Sequence, residues 1–129
     1  MFWKLELSLL AFLVIVIDYV YLSNIAKYFN NQIEKVQGTK IVLDFYAAGL
    51  CYLVLVLSLY YFIIRRRESI LNAVLLGLST YLIYEFTNKA ILKDWMWTTV
   101  LLDGLWGGLL YGLSTFIIYY TFNIPFKLY

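Results

Sequence analysis

The chain has 129 residues, of which 64% are hydrophobic, 20% aromatic and only 14% charged, with a net charge of +2. A soluble domain is nearer half apolar and a quarter charged, and a fold this small cannot hide so much apolar surface from water. The composition excludes a soluble enzyme and a disordered chain, the small charge excludes a nucleic-acid partner, and an integral membrane protein is what remains.

Apolar stretches cover about residues 5–28, 41–64, 69–92 and 98–122. Each is long enough to cross a hydrocarbon core of about 30 Å at 1.5 Å per residue. Backbone groups in lipid must be bonded within the segment, so the spans are helices. The expected architecture is one all-α domain over residues 1–129, a compact four-transmembrane-helix bundle in contact with membrane lipids. The first span carries Ile17-Asp18-Tyr19 without a small-residue cleavage pattern, and reads as an uncleaved helix. Residues 30–40, with Gln32 and Gly38, read as the longest loop. Arg65-Arg66-Arg67-Glu68 joins spans two and three, and Lys93-Asp94-Trp95-Met96-Trp97 joins three and four. Pro125 follows the last span, where it can stop the helix.

The connections fix the topology less firmly than the spans. Lys4, Arg65, Arg66, Arg67 and Lys127 fall on one side and Lys27, Lys35, Lys40, Lys89 and Lys93 on the other, so the positive-inside count ties. The concentrated Arg65–Arg67 run reads as the topology determinant and favours both termini in the cytoplasm. There is no His, and Cys51 is the only Cys. Imidazole chemistry, His-ligated metals and an intrachain disulfide are therefore absent, and any chemistry runs on carboxylates, Tyr, Lys, Ser or Thr.

Asp18, Asp44, Glu85 and Asp103 fall within the spans, late in the first and third and early in the second and fourth. Antiparallel helices place them all in the half of the bilayer away from Arg65–Arg67. An acid facing lipid at mid-bilayer costs on the order of 2.5–3.5 kcal/mol, so the main three, Asp18, Glu85 and Asp103, are expected to meet inside the bundle. Gly77, Tyr81, Tyr84, Glu85 and Asn88 recur at helical spacing, with Thr87 and Lys89 beside them; Tyr81, Tyr84 and Trp106 read as pocket walls. Asp44, Lys89, Gln32 and Tyr46 form a second rank; Asp44 is either buried or interfacial, and Lys89 either pairs with an acid or snorkels to the headgroups. Gly104, Gly108 and Gly112 form a small-residue ridge that packs helices either within the chain or in a homo-oligomer, and Gly77 is a further helix-packing glycine. Trp95, Trp97, Tyr119 and Tyr120 read as interfacial aromatics.

At these residues the sequence resembles a family of small membrane proteins, the domain-of-unknown-function family 2177. The resemblance is carried by Ile17-Asp18-x-x-Tyr21-Leu22, by Tyr28 and Gln32, and by Phe45-Tyr46-x-x-Gly49. It continues with Gly77, Tyr81, Tyr84, Glu85, Thr87, Asn88, Ala90 and Leu92, then Trp95, and ends with Asp103-x-x-Trp106-Gly107. The family usually has Asp where Glu85 stands and Trp where Tyr21 stands, and Asp44 and Lys89 lie outside its pattern. The resemblance implies a small multi-pass bundle and no particular activity.

Three functions compete. A carboxylate-lined site that binds or passes a proton or a hard cation comes first, because intramembrane acids beside Asn, Thr and Tyr are its usual material. A structural or assembly protein, including a virion membrane component, is the second. A lipid-modifying enzyme or accessory, with Glu85 or Asp18 as acid/base, is the third, and its chemistry is thinly supplied; no further cofactor is evident.

Overall fold

In a computed structural model, which describes residues 2–129, the chain is all-helical. Four helices are long and apolar enough to cross a membrane, and there is no strand among the described residues. Helix α1 spans Trp3–Gln37, 35 residues. That is about 52 Å at 1.5 Å per residue, some 20 Å more than a hydrocarbon core requires. The expected loop from Asn30 is therefore helix. Neither Pro nor Gly interrupts the chain before Gly38, and the polar residues from Asn30 onward suit a helix leaving the lipid. It stops at Gly38, which takes φ 79° and returns its N–H to the Glu34 carbonyl.

Helix α2 spans Phe45–Leu59 and continues through one π-helical turn, Tyr60–Ile64. Residues 41–44, expected in the span, are not helical. Asp44 caps α2, its carboxylate accepting from the Ala47 N–H at 3.0 Å, which fixes the start at Phe45. Helix α3 spans Ile70–Ile91 and α4 spans Trp97–Thr121, each within a residue of expectation. Ser69 caps α3, and the tail beyond Pro125 returns so that the Lys127 and Leu128 carbonyls accept from Ile70 and Leu71. Both termini and Arg65–Arg67 thus share one end of the bundle. There Glu6, which is buried, takes a forked pair of bonds from Arg67 at 2.8 and 3.1 Å. That bonding raises the Arg67 guanidinium further above its ordinary value, so it stays charged.

Helix α4 is the central element, and α3 lies closest to it. The glycine ridge makes that approach, and it is filled from within the chain. A Cβ at Gly77 would meet the Gly107 carbonyl, one at Gly104 the Leu82 side chain, and ones at Gly108 and Gly112 the Val74 side chain. Helix α1 packs on α4, and α2 is the most peripheral. The end nearer the termini is closed by Leu10, Val14, Leu55, Leu59, Ile63, Leu110 and Ile118. Tyr119 belongs to this core rather than to an interfacial belt. Its hydroxyl lies 2.8 Å from the Glu68 carbonyl and 3.2 Å from the Ile63 carbonyl, tying the end of α4 to the α2–α3 connection.

Candidate functional site

The site begins where α3 and α4 run side by side beyond the glycine contact. Glu85 lies six residues before the end of α3 and Asp103 six after the start of α4, so antiparallel packing brings them to the same depth, about 9 Å inside the helix ends. Glu85 is fully buried. Its Oε2 accepts from the Trp95 indole N–H at 2.8 Å, while its Oε1 is buried with no hydrogen-bond partner. The Asp103 carboxyl lies near enough to interact with Glu85. Two neighbouring carboxyls out of water are mutually repulsive unless a proton or cation sits between them. Asp103 Oδ1 also accepts from the Tyr21 hydroxyl, at 3.3 Å.

Asp18 stands apart from this pair. Its Oδ1 accepts from the Trp106 indole N–H at 2.9 Å and its Oδ2 from the Tyr52 hydroxyl, so both oxygens are occupied. The connection back to Asp103 is aromatic. The Tyr21 ring, whose hydroxyl bonds Asp103, stacks on Trp106 at 4.2 Å between centroids and 8° between planes. The expected meeting of three acids at one point is therefore a buried pair with a third acid linked through Tyr21 and Trp106. Among the described residues no group of three His, Cys, Asp or Glu side chains could hold a metal ion.

Several expected neighbours lie elsewhere. Tyr84 is 57% exposed and faces away from the pair, one helical step (100°) off the Glu85 stripe. Thr87 is exposed and bonds the Ile83 carbonyl of its own helix at 2.6 Å. Asn88 is half-buried and makes no side-chain hydrogen bond. Tyr46 is 89% exposed, and Asp44 is an exposed helix cap outside the span. Lys89 pairs with neither Asp103 nor Asp18. Its ammonium donates to the Trp95 carbonyl at 2.7 Å and lies 5.5 Å above the Trp97 ring, tying down the α3–α4 loop. Tyr81 does form a wall, packed on Gly107, where a Cβ would strike its ring.

Tyr52, Trp95 and Thr99 escaped the sequence reading as site residues, whereas Tyr21 shares the inward stripe of the first span with Ala11, Val14 and Asp18 but was given no role. Trp95 is 4% exposed, its indole N–H turned inward to Glu85. Gln32 rises from the second rank. It is buried, and its Oε1 accepts from the Thr99 hydroxyl at 2.7 Å and the Met96 N–H at 3.1 Å, holding the start of α4 against α1. Tyr28 completes this layer with a 2.9 Å bond to Thr99.

The comparisons with known proteins agree with this architecture. A family model described as "Predicted membrane protein (DUF2177)" matches residues 4–120. No curated protein and no solved structure matches the chain.

Proposed function

This chain belongs to the DUF2177 family of predicted membrane proteins, and we propose that Glu85 and Asp103 hold one exchangeable proton between them inside the membrane. One observation carries the reading: a fully buried Glu85 oxygen without a donor, beside a second carboxyl. A shared proton turns that acceptor–acceptor contact into a hydrogen bond, and a single proton fits two carboxyls better than a hard cation, which takes six or more oxygen ligands. Trp95 joins the pair to the surface at the α3–α4 loop. In the other direction no carboxylate lies between Asp18 and Glu6, and Leu10, Val14, Leu55 and Leu59 fill the interval. This supports proton binding from one face rather than passage across a single chain. We place both termini in the cytoplasm, on the Arg65–Arg67 run, so that the pair opens toward the opposite face.

Infrared difference spectra of the reconstituted protein across a pH step test this. The expected result is a protonated-carboxyl band that declines as pH rises and is lost in both Glu85→Gln and Asp103→Asn. A band that survives both substitutions refutes the reading. So does a carboxylate response to added Na⁺ or Ca²⁺ at constant pH, which would reassign the pair to a cation.

A second reading is favoured for Asp18 alone. Both its oxygens are occupied by fixed donors, which suits a latch between α1, α2 and α4 rather than a group that exchanges a proton.

A further inference from the structure

Above the acid pair, beside the α3–α4 loop, an open cavity of about 620 Å³ is lined by Gln32, Lys35, Lys89, Asp94, Trp95 and Trp97, among others. Three kinds of donor lie at its wall or just beneath it. The first is the Gln32 amide. Its carbonyl end is fixed, because the Met96 N–H that it accepts can only donate, so the NH₂ end must point the other way. That Nε2 is buried and has no partner, on a side chain only 3% exposed. A native buried donor left open calls for an acceptor. The second is the start of α4, where Met96 offers no side-chain cap, so the first N–H groups and the positive end of a 25-residue helix border the cavity. The third is a pair of ammonium groups. Lys89 is anchored on Trp95 and Trp97, and Lys35 makes no hydrogen bond or ion pair with the described residues. Asp94 offsets one of the two charges, leaving the rim net positive.

We infer that this cavity binds a phosphate oxyanion at the membrane surface, either the headgroup of an anionic phospholipid or free inorganic phosphate. Donors converging from an amide, a helix start and lysines suit a group with several acceptor oxygens. The Trp95 and Trp97 rings supply the amphipathic wall that suits headgroup level. The inference stands whether or not a proton is shared below, since none of these donors belongs to the acid pair.

The test uses the full chain in phosphatidylcholine vesicles, read by tryptophan fluorescence. Brominated phosphatidylglycerol and brominated phosphatidylcholine are compared as quenchers in one arm, and inorganic phosphate is titrated in the other. The variants are Lys35→Gln and Gln32→Glu. The latter keeps an acceptor for Met96 and Thr99 but replaces the open donor with a negative oxygen. Preferential quenching by the anionic lipid, weakened roughly tenfold in apparent affinity by either variant, identifies the headgroup; tenfold is the scale of one charge-assisted hydrogen bond. A saturable response to phosphate alone, weakened in the same variants, identifies the free anion. Equal quenching by both lipids with no phosphate response, or responses that both variants leave unchanged while circular dichroism shows them folded, overturns the inference.

Discussion

Replacing Asp18 separates a latch from a reactive acid. Its two oxygens are held by the Trp106 N–H and the Tyr52 hydroxyl, in a layer where α1, α2 and α4 meet. Asp18→Ala leaves both donors facing a void in an apolar interior. At about 1–3 kcal/mol for each stranded donor, the expected loss is about 2–6 kcal/mol. Asp18→Asn is nearly isosteric. Its carbonyl still accepts from Trp106, whose indole can only donate, and its NH₂ turns toward Tyr52, whose hydroxyl can rotate to accept. That variant is expected to lose under about 1 kcal/mol, in keeping with the modest worth of hydrogen bonds between membrane helices. Reversible unfolding in mixed detergent micelles gives both values. With Tyr52→Phe it also gives the coupling energy between Asp18 and Tyr52, expected to be about 0.5–1.5 kcal/mol. If Asn proves as damaging as Ala, the negative charge is what the site needs, and the latch reading fails.

Gly107→Ala places a Cβ against the Tyr81 ring and 2.6 Å from the Gly77 carbonyl, and should lower stability in the same micelle assay by about 1–3 kcal/mol or more. Gly49→Ala meets nothing within 4 Å on the exposed side of α2, and should instead gain up to about 1 kcal/mol from helix propensity. Arg67→Ala strands the buried Glu6 carboxylate and should cost about 1–3 kcal/mol, much of it recovered in the Glu6→Gln, Arg67→Ala double variant; a full double-mutant cycle reads the difference. If the pair shares a proton only when folded, wild-type stability falls as rising pH removes that proton. Glu85→Gln, whose NH₂ donates permanently to Asp103, should show a flatter pH profile of unfolding.

The spans and the acid pair were legible because lipid imposes them. Twenty apolar residues in a row have few alternatives, and an acid within such a run must turn inward. The boundaries of α1 and α2 were harder to read. Hydropathy marks where lipid ends, not where helix ends, and α1 continues for about two and a half turns on mostly polar residues until Gly38 stops it. Asp44 carried a legible signal as a cap ahead of an apolar run, but its place inside the hydrophobic stretch concealed it. Tyr84 and Thr87 went wrong because three- and four-residue spacing from Gly77 fits overlapping helix faces, and only the packing on α4 chooses between them. Tyr52 and Trp95 had no local signal. One meets an acid 34 residues earlier in the chain, and the other sits in a loop where an indole ordinarily belongs to the interface.

The division of labour among the acids follows from what each helix can present. Asp18 and Glu6 are balanced by fixed donors, Trp106 with Tyr52 and Arg67 respectively, so their burial adds connections between helices. Glu85 and Asp103 lie at the same depth on the helix pair that the glycine contact brings closest together. Among the described residues, Glu85 Oε1 is the one fully buried carboxylate oxygen that no donor reaches. A bundle built only for stability would answer that oxygen with a fixed donor, as it answers Asp18 with Trp106 and Tyr52. Retaining a second carboxyl there costs stability unless a small positive species is admitted. The same α3–α4 arrangement that closes the bundle therefore sets side by side the two acids on which the proton-sharing proposal rests.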